Sequence, residues 1–286
     1  MHKCGACNRL LIKFTAKTNN RPFKDVSFVY CMKYQNHSIG LCLAIVALAT
    51  ACTNKKTELE SIPLAEYFPQ RVGKTITYLL DSTVTTTFGA DTTVRSYRVK
   101  DTWAATITDG LGRPSFRVER TISNAAGTTP YTPNATFMST QVKDDWVEWQ
   151  ENNLRFMKLR FPVLEGFSWK GNSFIETSTF NSPVRYLAGW EYRYTNVGAP
   201  LTLNGKTYDH TITILQRDEV IPEGPFNRNV YKQWNYSVEI YARGVGLIYK
   251  NFDHKVWQPP TPPPDARAGY FEDGSYRIIL SALDYN

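Results

Sequence analysis

The stretch QWNYSVEIYARGVGLIYKNF, residues 233–252, indicates how this chain folds. In its first half, large apolar residues at 234, 236, 238 and 240 alternate with polar residues at 233, 235, 237 and 239. Such alternation is typical of a half-buried β-strand, because successive side chains of a strand point to opposite faces. Gly244 and Gly246 then precede a second apolar run, so the stretch predicts a hairpin. A phosphate-binding glycine loop would instead require a helix after the glycines.

The same alternation recurs along the chain, at residues 75–80, 116–121, 154–162 and 276–281. Turn residues separate these runs, at Asp109-Gly110, Glu151-Asn152-Asn153, Asn204-Gly205 and Asp273-Gly274. Many strands joined by short turns favour an antiparallel arrangement that has to protect its edges. We therefore predict a mainly β fold, an antiparallel meander that forms a curved sheet or a partly open, lipocalin-like barrel. A two-sheet β-sandwich is the alternative.

A leader-like segment occupies residues 32–51. Lys33 comes first, an apolar run extends from Ile39 to Ala51, and Cys52 follows. The run is too short to cross a hydrocarbon layer about 30 Å thick as a helix. A basic residue, an apolar run and small residues, in this order, are typical of a secretory signal peptide.

The end of this segment, Ala49-Thr50-Ala51-Cys52, resembles the lipobox of bacterial lipoproteins. In that family small residues precede a cysteine that receives acyl chains such as palmitate. Ala49 is a departure, because the family usually has leucine there. The resemblance implies lipidation of Cys52 and anchoring to a bacterial membrane outside the cytoplasm, with the outer membrane preferred. An ordinary signal peptide with an incidental cysteine, or a core helix, is the alternative.

The chain divides into four parts on this interpretation. Residues 1–31 precede Met32, and we interpret them as an over-called N-terminal extension, or alternatively as a genuine cytoplasmic arm. Residues 32–51 are the signal peptide, and 52–62 comprise the lipidated cysteine and a polar tether. Residues 63–286 form a single β-rich domain, because no low-complexity break occurs before the prolines at 259–264.

Most of the formal net charge of +7 lies in residues 1–51. Residues 1–51 contain seven basic residues and one acid, which leaves 26 basic and 25 acidic residues in 52–286. A nearly neutral mature chain gives no reason to expect a nucleic-acid partner. No cysteine follows Cys52, and the Cys4/Cys7 pair lacks a second pair, so we expect no metal site and no cofactor.

Three groups of residues carry a family resemblance over residues 62–286. They are Tyr67-Phe68-Pro69 with Val72-Gly73-Lys74 and Tyr78, then Phe161-Pro162 with the segment 166–172, and lastly the segment 241–249. This order resembles a family of uncharacterised bacterial lipoproteins with a single antiparallel β domain. The motifs are turn and core residues, so the resemblance implies fold and location. It implies no catalytic residue.

Candidate ligand-facing residues come from the aromatic content, which is 14%. Tryptophans can line an apolar pocket, and we single out Trp146, Trp149, Trp169 and Trp234. We predict a non-enzymatic binding module for an apolar ligand or an envelope partner. One alternative is an envelope glycan-cleaving enzyme that uses paired carboxylates such as Asp145 and Glu148. A structural or assembly component is another.

Overall fold

Antiparallel pairing organises all of the strands in the computed structural model, which describes residues 61–286. The strands are β1 Thr75–Thr85, β2 Thr92–Thr108, β3 Pro114–Asn124, β4 Thr132–Val142, β5 Trp146–Glu151, β6 Leu154–Arg160, β7 Ser168–Trp169, β8 Tyr192–Leu203, β9 Lys206–Ile221, β10 Lys232–Ala242, β11 Gly246–Gln258, β12 Tyr270–Phe271 and β13 Tyr276–Tyr285. A short helix, α1 at Leu64–Tyr67, precedes them, and single 3-10 turns lie at Thr87–Gly89 and Arg185–Leu187.

Two meanders and the C-terminal strand make up the sheet. Its order is β6-β5-β4-β3-β2-β1-β13-β11-β10-β9-β8-β7, and β12 pairs with β11 outside this path. β13 lies between β1 and β11, so it joins the N-terminal meander to the C-terminal one. The predicted antiparallel meander and partly open barrel are confirmed. The two-sheet sandwich is wrong, because these strands share one continuous sheet.

The predicted turns lie where strands reverse direction. Asn204 and Gly205 join β8 to β9 with φ values of 50° and 77°. Gly244 and Gly246 have φ values of 76° and 106° at the reversal between β10 and β11. Positive φ is the conformation that glycine and asparagine tolerate best, which explains why these residue types occupy the turns.

On β10 the apolar residues do not mark the buried face. Ser237 and Glu239 are 0% and 1% exposed, whereas Trp234 is only half-buried. The polar side chains occupy the barrel interior. Trp234 lies on the outer face, where it packs against Phe226 and Phe271. Alternation therefore identifies the strand without identifying which face is inside.

The domain begins before residue 63. The backbone N–H of Val163 donates a hydrogen bond to Ser61 Oγ at 2.9 Å, and Ile62 packs against the core. The last residues of the predicted tether thus contact the domain. After α1, Phe68 enters the barrel and contacts Trp103 and Trp149 edge-on.

The two ends of the sheet meet at a seam between β6 and the segment around β7. Met157 N donates to Gly171 O at 2.8 Å, and Trp169 Nε1 donates to Met157 O at 2.9 Å. Further along, the Tyr194 hydroxyl accepts from Arg160 N at 2.9 Å and donates to Arg160 O at 2.8 Å. The Tyr194 hydroxyl thus replaces the neighbouring strand as hydrogen-bond partner of the Arg160 N–H and carbonyl groups. With these contacts the barrel is nearly closed.

Backbone pairing of the segment around β7 with β8 ends at Tyr194, whose N–H donates to Phe167 O and whose carbonyl accepts from Gly166 N. Beyond that point β8 is irregular. Asn196 and Gly198 have positive φ, and the register of β8 against β9 shifts on both sides of Ala199. Pro200 follows and has no N–H to donate.

We expect Gly171→Ala to destabilise the domain by about 1–3 kcal/mol, as overpacking of a core does. A Cβ at Gly171 would lie 2.3 Å from the ring of Tyr192, whose hydroxyl is bonded to Asn172. Urea unfolding measures the loss. Gly110→Ala is the matched control, since a Cβ at Gly110 meets no atom within 4 Å. Equal stability of the two variants would contradict the packing described for the seam.

Candidate functional site

A cavity of about 330 Å³ lies inside the barrel. Strands of both meanders and β13 contribute to its wall. Most of the wall is aromatic or aliphatic, including Phe68, Phe137, Trp149, Tyr241, Leu247 and Leu280. A volume of about 300–1,000 Å³ with apolar walls and a few polar groups is typical of small-molecule sites.

One end of the cavity is closed. Phe68 contacts Trp103, Trp149 and Tyr241 there, with ring centroids 6.0–6.3 Å apart. Lys74, which immediately precedes β1, completes this end. We call Phe68, Lys74 and Trp103 the base of the cavity.

The opposite end reaches the surface. Asn134 and Asn152 line it and are exposed, and Leu80 and Leu154 beside them are half-buried. We call these four residues the mouth.

The connection between β7 and β8 packs near the mouth and supplies Tyr186 and Leu187 to the wall. The Tyr186 ring stacks on His254 with centroids 3.7 Å apart and an interplanar angle of 11°. Asn172 Nδ2 donates to Leu187 O at 3.0 Å, which fixes the connection to the β7 end of the seam.

Charged side chains also line the cavity, and they are paired. Arg120 forms two hydrogen bonds to Asp101, at 2.6 and 2.7 Å. Lys158 Nζ lies 2.6 Å from Glu239, and Lys250 Nζ lies 3.6 Å from Glu151 and 3.9 Å from Glu239. Buried charges are tolerated when they are paired and hydrogen-bonded in this way.

These pairs lower the pKa values of the two glutamates. Burial raises the pKa of Glu151, but Lys250, Lys158 and Arg120 outweigh it and hold that pKa at about 2. The pKa of Glu239 is also lowered, because Lys158 and Lys250 outweigh the effect of burial. At neutral pH neither carboxyl group carries a proton to donate.

Lys74 differs from the other cations of the cavity. It is 2% exposed, and its Nζ donates to Pro69 O at 2.7 Å and lies 4.8 Å from the centroid of the Trp103 ring. It forms no ion pair with any residue of 61–286. Burial lowers the pKa of Lys74 to about 7, and Arg71 shifts it in the same direction. Trp103 Nε1 is buried and has no hydrogen-bond partner in the same part of the chain.

The four tryptophans singled out from the sequence lie in different places. Trp149 lines the cavity, so its ligand-facing role stays a prediction. Trp169 packs at the seam, and Trp234 belongs to the outer aromatic cluster. Trp146 Nε1 donates to Glu148 at 2.7 Å. These three do not line the cavity, whereas Trp103 does, and no pattern in the sequence distinguishes it.

The two carboxylates of the glycan-cleaving alternative are in different environments. Asp145 is exposed in the turn between β4 and β5. Glu148 is buried and accepts two hydrogen bonds each from Arg113 and Arg155. Burial raises the pKa of Glu148, but the arginines and Trp146 outweigh it and hold the pKa at about 2. This carboxylate is unsuited to act as a general acid.

The predicted signal peptide, the lipidation site Cys52 and the Cys4/Cys7 pair lie outside the described residues. Among residues 61–286, no helix has both the length and the apolar character that a membrane span requires. The same residues hold no group of three or more His, Cys, Asp or Glu side chains placed to bind a metal ion.

Comparison with known proteins adds little. No protein-family model matches the sequence, and no curated protein matches it. One solved structure with detectable similarity is a candidate outer membrane lipoprotein-sorting protein domain from Vibrio parahaemolyticus, at 11% identity. The match covers 75% of this chain and 85% of that one, with a TM-score of 0.18. A TM-score this low does not establish a shared fold.

The lowered pKa of Lys74 predicts a pH-dependent stability difference between the wild type and Lys74→Met. Between pH 7 and the ordinary lysine pKa of 10.5, the unfolded chain holds a proton that the folded chain does not. The wild type should therefore gain about 1.4 kcal/mol of stability per pH unit relative to the variant as pH rises through this window. Urea unfolding of both proteins from pH 6 to 9 measures the difference, which should be constant below about pH 6. A difference independent of pH throughout would contradict the prediction.

Proposed function

We propose that this chain is a non-enzymatic binding module of the cell envelope that encloses the apolar part of a small molecule inside its barrel. A single observation carries the proposal: the interior holds a cavity with aromatic and aliphatic walls that is closed at the base and reaches the surface at the mouth. Burial of apolar surface contributes about 25 cal/mol per Å². A ligand that buries about 200 Å² of apolar surface would thus gain about 5 kcal/mol before the cost of its immobilisation.

The charged groups of the cavity support binding over catalysis. Asp101, Glu151 and Glu239 each pair with a cation, and the pKa values of both glutamates are lowered. Glycan cleavage requires one protonated carboxyl group, and neither glutamate supplies it at neutral pH. This favours the binding module over the glycan-cleaving enzyme.

The location is part of the proposal. Acyl chains on Cys52 would hold the domain on a membrane outside the cytoplasm, and the outer membrane is the preferred one. Each buried CH₂ of an acyl chain contributes about 0.8 kcal/mol, and several chains are needed for stable anchoring. The partners of the chain are then the membrane lipids and the ligand of the cavity, or an envelope protein that delivers or receives that ligand.

Leu80→Trp should weaken binding of the uncharged fluorescent probe N-phenyl-1-naphthylamine by tenfold or more. The larger side chain would occupy the mouth of the cavity, which Leu80 lines. Leu79→Trp is the matched control, because Leu79 is the preceding residue of β1 and does not line the cavity. We expect it to bind within about twofold of the wild type. Fluorescence titration measures both, and equal affinities in the two variants would contradict the proposed site.

Cys52→Ser should abolish incorporation of labelled palmitate and move the protein from the membrane fraction to the soluble periplasmic fraction. The reason is that the thioether to the lipid cannot form on a serine hydroxyl. Metabolic labelling followed by fractionation of cells tests this. A variant that still sediments with membranes, or a wild type found unprocessed in the cytoplasm, would refute the anchor without affecting the cavity.

A further inference from the structure

The charges inside the cavity do not balance. Four cations and three carboxylates line it, namely Lys74, Arg120, Lys158 and Lys250 with Asp101, Glu151 and Glu239. Arg120, Lys158 and Lys250 each lie against at least one of these carboxylates. The positive charge in excess is therefore the one on Lys74, at the base.

Two donor groups at the base have fewer acceptors among residues 61–286 than they can use. The ammonium of Lys74 can donate three hydrogen bonds, and within the described chain it has one acceptor, Pro69 O. Trp103 Nε1 is buried and has none there. A buried donor without an acceptor destabilises the fold, and an acceptor atom placed in the cavity would remove that cost.

We propose that the ligand is an amphiphile with a single anionic head group, a carboxylate or a phosphate, which is bound at the base by Lys74 and Trp103. The apolar chain of the ligand then extends along the aromatic wall toward the mouth. This inference rests on the proposed function, because it specifies the class of ligand that the same cavity binds.

The other cations of the cavity do not compete for the head group. Arg120 already donates two hydrogen bonds to Asp101, and Lys158 lies 2.6 Å from Glu239. Lys250 lies 3.6 Å from Glu151 and 3.9 Å from Glu239. An anion drawn to any of these three cations would have to approach a carboxylate as well. Lys74 faces the Trp103 ring, which attracts a cation and does not neutralise it. Burial lowers the pKa of Lys74, and a bound anion would reverse this effect by favouring the charged amine.

The test compares matched ligands on the full domain. Dodecanoate, dodecyl phosphate and methyl dodecanoate contain straight chains with the same number of carbon atoms, and each is tested for displacement of N-phenyl-1-naphthylamine at pH 6.5. We expect at least one of the two anions to bind tenfold or more tightly than the methyl ester. The tighter of the two anions identifies the head group as a carboxylate or a phosphate.

Variants assign the preference to the base. Lys74→Met should reduce the preference for the anion to less than threefold while leaving the affinity for the ester within threefold. Trp103→Phe keeps an aromatic ring but removes the Nε1 donor. It should reduce the preference for the anion by a smaller factor than Lys74→Met does. Lys170→Met removes an exposed cation that does not line the cavity, and it should leave the preference unchanged.

Each outcome decides between named alternatives. Equal affinities of the wild type for both anions and the ester would overturn the head-group inference and leave the proposed function standing. A preference that persists in Lys74→Met would overturn it as well, because a different cation would then be responsible. A wild type that binds neither the probe nor any of the three ligands would overturn the proposed function itself. If Lys74→Met does not fold, the wild-type comparison and Trp103→Phe decide.

Discussion

The ion pairs that cross the barrel interior are the constraint on which the rest of this structure depends. Lys158 of β6 pairs with Glu239 of β10, and Lys250 of β11 lies near Glu151 of β5. Each pair joins the N-terminal meander to the C-terminal one across the interior, in addition to the connection that β13 makes within the sheet. Removal of one partner of the Lys158–Glu239 pair would leave a buried charge, at a cost of about 3–5 kcal/mol. The two halves of the sheet therefore have to face each other in one register, and the space between them becomes the cavity.

Local features of the fold could be predicted from the sequence, and long-range ones could not. Alternation at residues 233–240 predicts β10, and the Asn204-Gly205 dipeptide predicts the hairpin of β8 and β9, because both depend on residues close in the chain. The inward direction of Glu239 depends on Lys158, which lies 81 residues away. The role of Trp103 could not be predicted either, because its neighbour Phe68 is distant in the sequence and lies in a segment outside the sheet. Composition shows many tryptophans without showing which of them face the cavity.

The candidate site combines two environments that the sequence does not separate. Near the mouth, half-buried aliphatic side chains lie beside the exposed Asn134 and Asn152, while at the base Lys74 is buried against the ring of Trp103. Such a gradient orients a molecule with one polar end, since only one orientation places its polar end beside the amine. The connection between β7 and β8 contacts both the seam and His254, so changes at the mouth and at the seam act on the same segment.

The irregular half of β8 has a consequence for how copies of this protein behave when they are crowded together. A straight strand with one unpaired side is a template on which a second molecule can add its own strand, and this is a common route to aggregation. Here the register shifts around Ala199 and the missing N–H of Pro200 interrupt that template along the part of the strand that the seam leaves uncovered. The irregular part of β8 therefore offers a second copy no continuous run of backbone groups with which to pair.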